Sequence, residues 1–134
     1  MYFIDFDYYE LYEEQLMGAG YIKNKYGPTP VDFAKVIKQM QKDGDCEEIR
    51  IKCSNYEQTK YRSKRPADLS GLLEREKKHI DDTLDKYSDK SARELSKLSH
   101  KDIPWISAKD DEVIDYESVF YRTDATSVRK YEAD

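Results

Sequence analysis

Apolar positions in the opening stretch recur with a helical period. In "YFIDFDYYELYEEQL", Ile4, Tyr8, Leu11 and Tyr12 fall on one stripe and Phe3 and Phe6 add bulk, which predicts an amphipathic helix ended by Gly18 and Gly20. Asp5, Asp7, Glu10, Glu13 and Glu14 occupy the rest of it without one Lys or Arg, so an acidic outer face is expected, either solvated or turned to a partner. The period then shortens to two in "YIKNKY", a short strand with Tyr21 and Lys23 on one side. In "YGPTP", Gly27 takes a backbone angle other residues resist, and Pro28 and Pro30 fix φ and extend the residues before them. That pattern predicts a turn with Thr29 as N-cap, Pro30 at the first helical position and Asp32 completing a capping box. Phe33, Val36, Ile37 and Met40 form the apolar stripe of the helix that follows, and Gly44 stops it.

Alternation returns after residue 45. Ile49, Ile51 and Cys53 alternate with Arg50 and Lys52, and Tyr56, Thr59 and Tyr61 sit among polar residues, predicting a β-hairpin at roughly 47–64. Its second half carries Lys60, Arg62, Lys64 and Arg65, a basic patch that either protects an edge strand or meets an acidic partner or nucleic acid. A long helix is expected from a Ser70 cap to Tyr87, with Leu73, Ile80, Leu84 and Tyr87 inward and His79 solvated. A second helix is capped by Ser88 or Asp89 and packs through Ala92, Leu95 and Leu98. "KDIPWIS" reads as a turn or short helix capped by Asp102, with Trp105 as a core anchor, and "YESVFYR" as a last short helix docking Val119 and Phe120 before a fraying end. The sum is an α+β fold, mainly α-helical: one compact helical domain over residues 1–134 with a small β-hairpin or short sheet.

Composition narrows the chemistry. Twelve Tyr and four Phe supply bulk that a disordered chain lacks and predict a small aromatic core, while a formal charge of −5 disfavours nucleic acid as a partner. Neither a membrane span nor a secretory leader is legible, and Cys46 and Cys53 are too far apart along an extended strand to bridge, so a cytoplasmic protein with reduced thiols is expected. Two scattered histidines, no phosphate loop and no nucleophile elbow leave few routes to catalysis. His100, at a helix end, is expected to bond exposed carbonyls. Asp5 and Asp7 would serve a metal-dependent hydrolase only if they did not lie on a helix, because residues two apart there project to nearly opposite sides. No cofactor or metal is implied, and a DNA-binding regulator would need a basic recognition helix that the sequence does not show.

Three stretches together resemble one family. "YFIDFDYYELYEEQLMGAGYIKNKYGPTPVDF", then "SDKSARELSKLSHKDIPW", then "IDYESVFYR" lie in the same order as in the Panacea domain, the SocA-like antitoxin domain often described as phage-associated protein, with a variable hairpin between them. The resemblance implies a mainly helical, non-enzymatic member of a toxin–antitoxin system that binds and neutralises a protein toxin encoded beside it. Family members usually carry a further helical segment, commonly ending Lys-Leu-Leu, before the "YF"; Met1 stands in its place here, implying a shortened member or a domain cut from a longer protein. Tyrosine gives rigid contact area with a polar tip, so Tyr8, Tyr9, Tyr12, Tyr21 and Lys23 are the expected toxin-facing residues. Tyr26, Gly27, Pro28, His100, Pro104 and Trp105 are the motif residues, easier to explain as fold-makers than as contacts.

Overall fold

A computed structural model describes residues 1–131 as a helix-dominated α+β fold with two small antiparallel sheets, each of two strands. Two compact units form: Met1–Val31 with the chain from Leu72 onward, and Asp32–Gly71.

In the first unit, α1 (Tyr2–Tyr12) lies at the centre, with Tyr2, Phe3, Asp5, Phe6, Asp7, Tyr8 and Glu10 all buried. The expected acidic outer face is therefore corrected for Asp5, Asp7 and Glu10: their carboxylates are interior because polar partners from distant segments meet them there. The helix also ends earlier than Gly18. Glu13 adopts a left-handed φ of 57° and closes the last turn through its N–H to the Tyr9 carbonyl. Tyr2, Phe3, Phe6, Tyr21, Ile114 and Val119 make the apolar core. Ring stacking joins Phe6 to Tyr116 at 4.2 Å and Phe3 to Tyr87 at 4.9 Å, pairs worth about 0.5–1.5 kcal/mol each beyond their burial.

The "YIKNKYGPTP" stretch is a hairpin and not a strand followed by a helix start. Strands β1 (Tyr21–Asn24) and β2 (Gly27–Pro30) pair with Tyr21 opposite Pro30 and Lys23 opposite Pro28. Thr29 is thus a strand residue, not an N-cap, and the prolines are accommodated by the parity of the ladder. Tyr21 and Lys23 direct their backbone groups to the other edge, exchanging bonds with Asp111, Glu112 and Ile114. Their partners Pro28 and Pro30 consequently occupy pairs that need no N–H toward β1.

Helix α3 (Glu74–Tyr87) has its N-cap at Leu73, whose N–H donates to Glu76; Ser70 instead turns back on Asp68. Tyr87 packs against the core as expected and Ile80 is half-buried, but the buried residues are His79 and Thr83, while Leu73 and Leu84 are exposed. The correction has a polar cause: a His79 ring nitrogen meets the Ile4 carbonyl at 2.8 Å, and the Thr83 hydroxyl donates to the His79 carbonyl. Helix α4 (Ala92–Ser99) is capped by Ser91, which accepts the Glu94 N–H, and not by Ser88 or Asp89. Asp102 precedes α5 (Ile103–Ser107) but its carboxylate makes no cap bond, being engaged with Arg122. A 3₁₀ helix, Tyr116–Tyr121, buries Val119 and packs Phe120 against the core, as the sequence predicts.

The second unit holds α2 (Phe33–Lys42) and the hairpin of β3 (Cys46–Lys52) with β4 (Glu57–Ser63), close to the predicted bounds. Phe33 meets Tyr61 edge-on at 5.8 Å, yet Phe33, Val36 and Met40 remain exposed, so the apolar stripe of α2 is not the core face its periodicity predicts. The basic patch is partly neutralised within the hairpin, Arg62 by Glu47 and Arg65 by Asp45 at 3.5 Å. Both thiols are free, Cys46 buried and Cys53 half-buried.

Gly27 has φ of +135°, and a Cβ there would lie 3.0 Å from the Ser99 hydroxyl oxygen of α4. Gly27→Ala is therefore expected to cost more than about 1 kcal/mol in urea unfolding, with only part of the loss recovered when Ser99→Gly removes the clash but not the strain. Equal stability of Gly27→Ala and the parent chain would show that the hairpin relaxes freely at this position.

Candidate partner-binding site

The constellation that most resembles catalytic machinery surrounds Arg122. Its guanidinium, without exposed side-chain surface, donates to Asp102 through Nε and Nη2 at 2.9 Å each, and through Nη1 to Asp7 at 2.7 Å and Glu10 at 3.0 Å. The Tyr2 and Thr126 hydroxyls complete Asp102 at 2.5 and 2.8 Å. Glu10 accepts further bonds from Ser127, the Val128 N–H and Tyr131. Acceptor sites on Asp102 and Glu10 are thus filled by the protein itself and closed to solvent, an arrangement that locks the C-terminal segment onto α1.

Asp5 belongs to a different knot. Its carboxylate accepts from the Tyr21 hydroxyl at 2.6 Å and the Met17 N–H at 2.9 Å, while Asp7 points to Arg122. The two carboxylates diverge, as their spacing on a helix requires, and among the described residues no group of three or more His, Cys, Asp or Glu could hold a metal ion.

The five expected contact residues are not brought together. Tyr8 and Tyr21 are each only 1 % exposed, which makes them core residues. Tyr8 packs at a tilt against Tyr12 and accepts hydrogen bonds from Arg75, whose guanidinium also sits 4.2 Å from the Tyr12 ring centre. Tyr9 packs on Tyr116 and Phe120 and donates to Glu117. Lys23 lies elsewhere, its ammonium 4.3 Å over the Trp105 ring and donating to the Ala108 carbonyl at 3.1 Å.

The motif residues, by contrast, converge on Lys23. Pro28 is its strand partner, Trp105 underlies it, and His100 stacks on Trp105 at 4.1 Å. Ser96 donates to the Tyr26 carbonyl and Ser99 lies against Gly27, so α4 clamps the turn of the hairpin. His100 does not bond carbonyls with its ring as expected; Nε2 is buried with no hydrogen-bond partner among the described residues. Trp105 is half-buried and packs against the core, with Pro104 fully buried beside it. Around this base, Tyr26 is 75 % exposed, Val113 64 % and Ile106 48 %. Val113 bridges Ile22 of β1, and the Ile106 carbonyl accepts from Lys23 at 3.3 Å. Sequence reasoning missed Ile106, Val113 and Arg75 because each is placed by a pairing between distant segments. Arg122 it also missed, although an acid-rich first helix with no base of its own signals that a cation must come from elsewhere.

Burial pushes the Asp7 carboxyl up to about 6, against the pull of Arg122. For Glu10, burial pushes upward too, but hydrogen bonds from Ser127, Val128 and Tyr131 outweigh it and hold the group below its usual range. Asp7 therefore stabilises the fold fully below its ordinary 3.8 and loses that contribution as pH rises to about 6. Glu10 acts with the opposite sign, its contribution disappearing as pH falls. Asp7→Asn is expected to flatten the decline in melting temperature across the Asp7 interval while the acid-side loss persists; an unchanged profile would place the titration elsewhere. Arg122→Met, which leaves its carboxylates buried and unpaired, is expected to cost on the order of 3–5 kcal/mol in denaturant unfolding, and a cost under about 1 kcal/mol would show that the lock does not stabilise the fold.

The family model described as "Antitoxin SocA-like, Panacea domain" matches residues 1–106, which include α1, the first hairpin, α4 and the Pro104–Trp105 motif but not Arg122. No curated protein and no solved structure matches the chain. With 106 of 134 residues matched, the chain belongs to the SocA-like antitoxin family with its Panacea domain.

Proposed function

We propose that this chain is the antitoxin of a toxin–antitoxin system and neutralises a protein toxin by direct contact, without catalysis. Family membership carries the reading, and the face around Lys23 supports it. A rigid base of Trp105 stacked on His100 holds Lys23, and the exposed side chains of Tyr26, Val113 and Ile106 offer an aromatic and aliphatic surface around one cation. Tyr9, Tyr12 and Lys23 remain contact residues in this proposal. Tyr8 and Tyr21 contribute by holding α1 and β1 in position. No helix among the described residues is long and apolar enough to cross a membrane, which accords with a cytoplasmic site of action.

Growth arrest by the product of the adjacent gene, relieved by co-expression of this chain and accompanied by recovery of the two proteins as a complex, is the expected outcome of a rescue assay. Tyr26→Ala and Ile106→Asp should each keep the parent melting temperature and weaken the complex at least about tenfold, as truncation at the centre of an interface does. A harmless neighbour and an empty pull-down would remove the antitoxin reading. Full rescue by both variants would instead move the interface away from Lys23.

A further inference from the structure

A cleft of about 450 Å³ opens where the end of α3, the turn after it, α4 and residues 124–127 meet. Its base is formed by Tyr87 and Leu98, both packed against the core, and by the buried Thr126. Its walls carry Lys86, Lys90, Lys97 and Lys101, all exposed. None of these lysines forms an ion pair among the described residues, although the chain as a whole is acidic. Lys86 rests 5.1 Å from the Tyr87 ring centre, so one ammonium lies directly beside the apolar base.

Glu94 and Asp124 also line the cleft, leaving an excess of positive charge from the four ammonium groups. Unpaired ammonium groups lining one cleft attract an anionic occupant over a Debye length of roughly 8–10 Å. Among ligands of that charge the chemistry is selective. Lysines are separate point charges, and the cleft contains no guanidinium fork to grip a single phosphate or carboxylate in two places. Four such charges spread around a half-apolar base match carboxylates spaced along a chain with apolar side chains between them. A phosphate backbone is matched less well, because it brings no aliphatic side chains to the base of Tyr87 and Leu98.

We propose that this lysine cleft binds an acidic segment of the protein partner, a peptide that alternates carboxylate and apolar side chains. The binding chemistry is independent of the antitoxin reading; only the source of the segment rests on it. The probe is a short fluorescein-labelled peptide alternating Glu with Leu, followed by fluorescence anisotropy against the full chain. Binding is expected to weaken as salt is added, and to fall at least about tenfold in the Lys90→Glu, Lys97→Glu double variant. Both side chains are exposed, so melting temperature should be unchanged, and Lys90→Gln with Lys97→Gln should give an intermediate loss.

Binding that ignores these substitutions, or no binding to the parent chain, would overturn the proposal. Displacement of the peptide by an equal concentration of oligothymidylate would overturn it in favour of a phosphate groove. Where the parent chain rescues growth, normal rescue by the charge-reversed chain with peptide binding lost would overturn the assignment of the segment to the toxin and leave the antitoxin reading intact. Failure of the parent chain to rescue, with peptide binding preserved, would count against that reading and in favour of the cleft.

Discussion

Everything in the first unit depends on one guanidinium being placed among three carboxylates. Removing such charges from water costs several kcal/mol per ion, so Arg122, Asp7, Glu10 and Asp102 are tolerable in the interior only as a set with its remaining acceptors filled. That requirement ties together four parts of the chain: the first helix, the start of α5, the end of the 3₁₀ helix and the segment through Tyr131. Aromatic packing around Phe6 and Tyr21 supplies the apolar part of the stabilisation, but it is not directional. The ion cluster is directional, and it selects which end of α1 meets which part of the chain.

The balance of the cluster also explains its titration. Of Asp7 and Glu10, which share the guanidinium, Asp7 has the fewer hydrogen bonds and holds its proton more firmly. Glu10, with several donors and a main-chain N–H, carries its charge more easily. Burial alone would push both the same way; hydrogen-bond supply separates them.

Helix content, the 46–63 hairpin and the docking of Val119 and Phe120 were legible because they are written in local periodicity. The role of α1 was not, since an acidic residue on a helix is ordinarily solvated and the partner that reverses this lies more than a hundred residues away. One local hint was present: at about 100° per residue, Phe3 falls between Asp7 and Glu10 around the helix, so no single solvent face could hold both acids and spare the ring. The prolines misled for a similar reason. Pro28 and Pro30 fit a helix start by local rules, and only the pairing of Tyr21 and Lys23 with 111–114 shows why they fit a strand. Of the residues on the face around Trp105, Lys23 was singled out from its short strand, whereas Ile106 and Val113 acquire meaning only when three segments are assembled around it.

The small sheet has a consequence for how other chains can approach. One side of β1 is taken by β2 and the other by the 111–114 segment. The outer side of β2 presents Pro28 and Pro30, which have no N–H to offer. A foreign strand therefore finds no complete ladder to extend, and edge-to-edge self-assembly is blocked at the same place. A partner at this surface must be read through side chains, and main-chain recognition, indifferent to sequence, is denied to it.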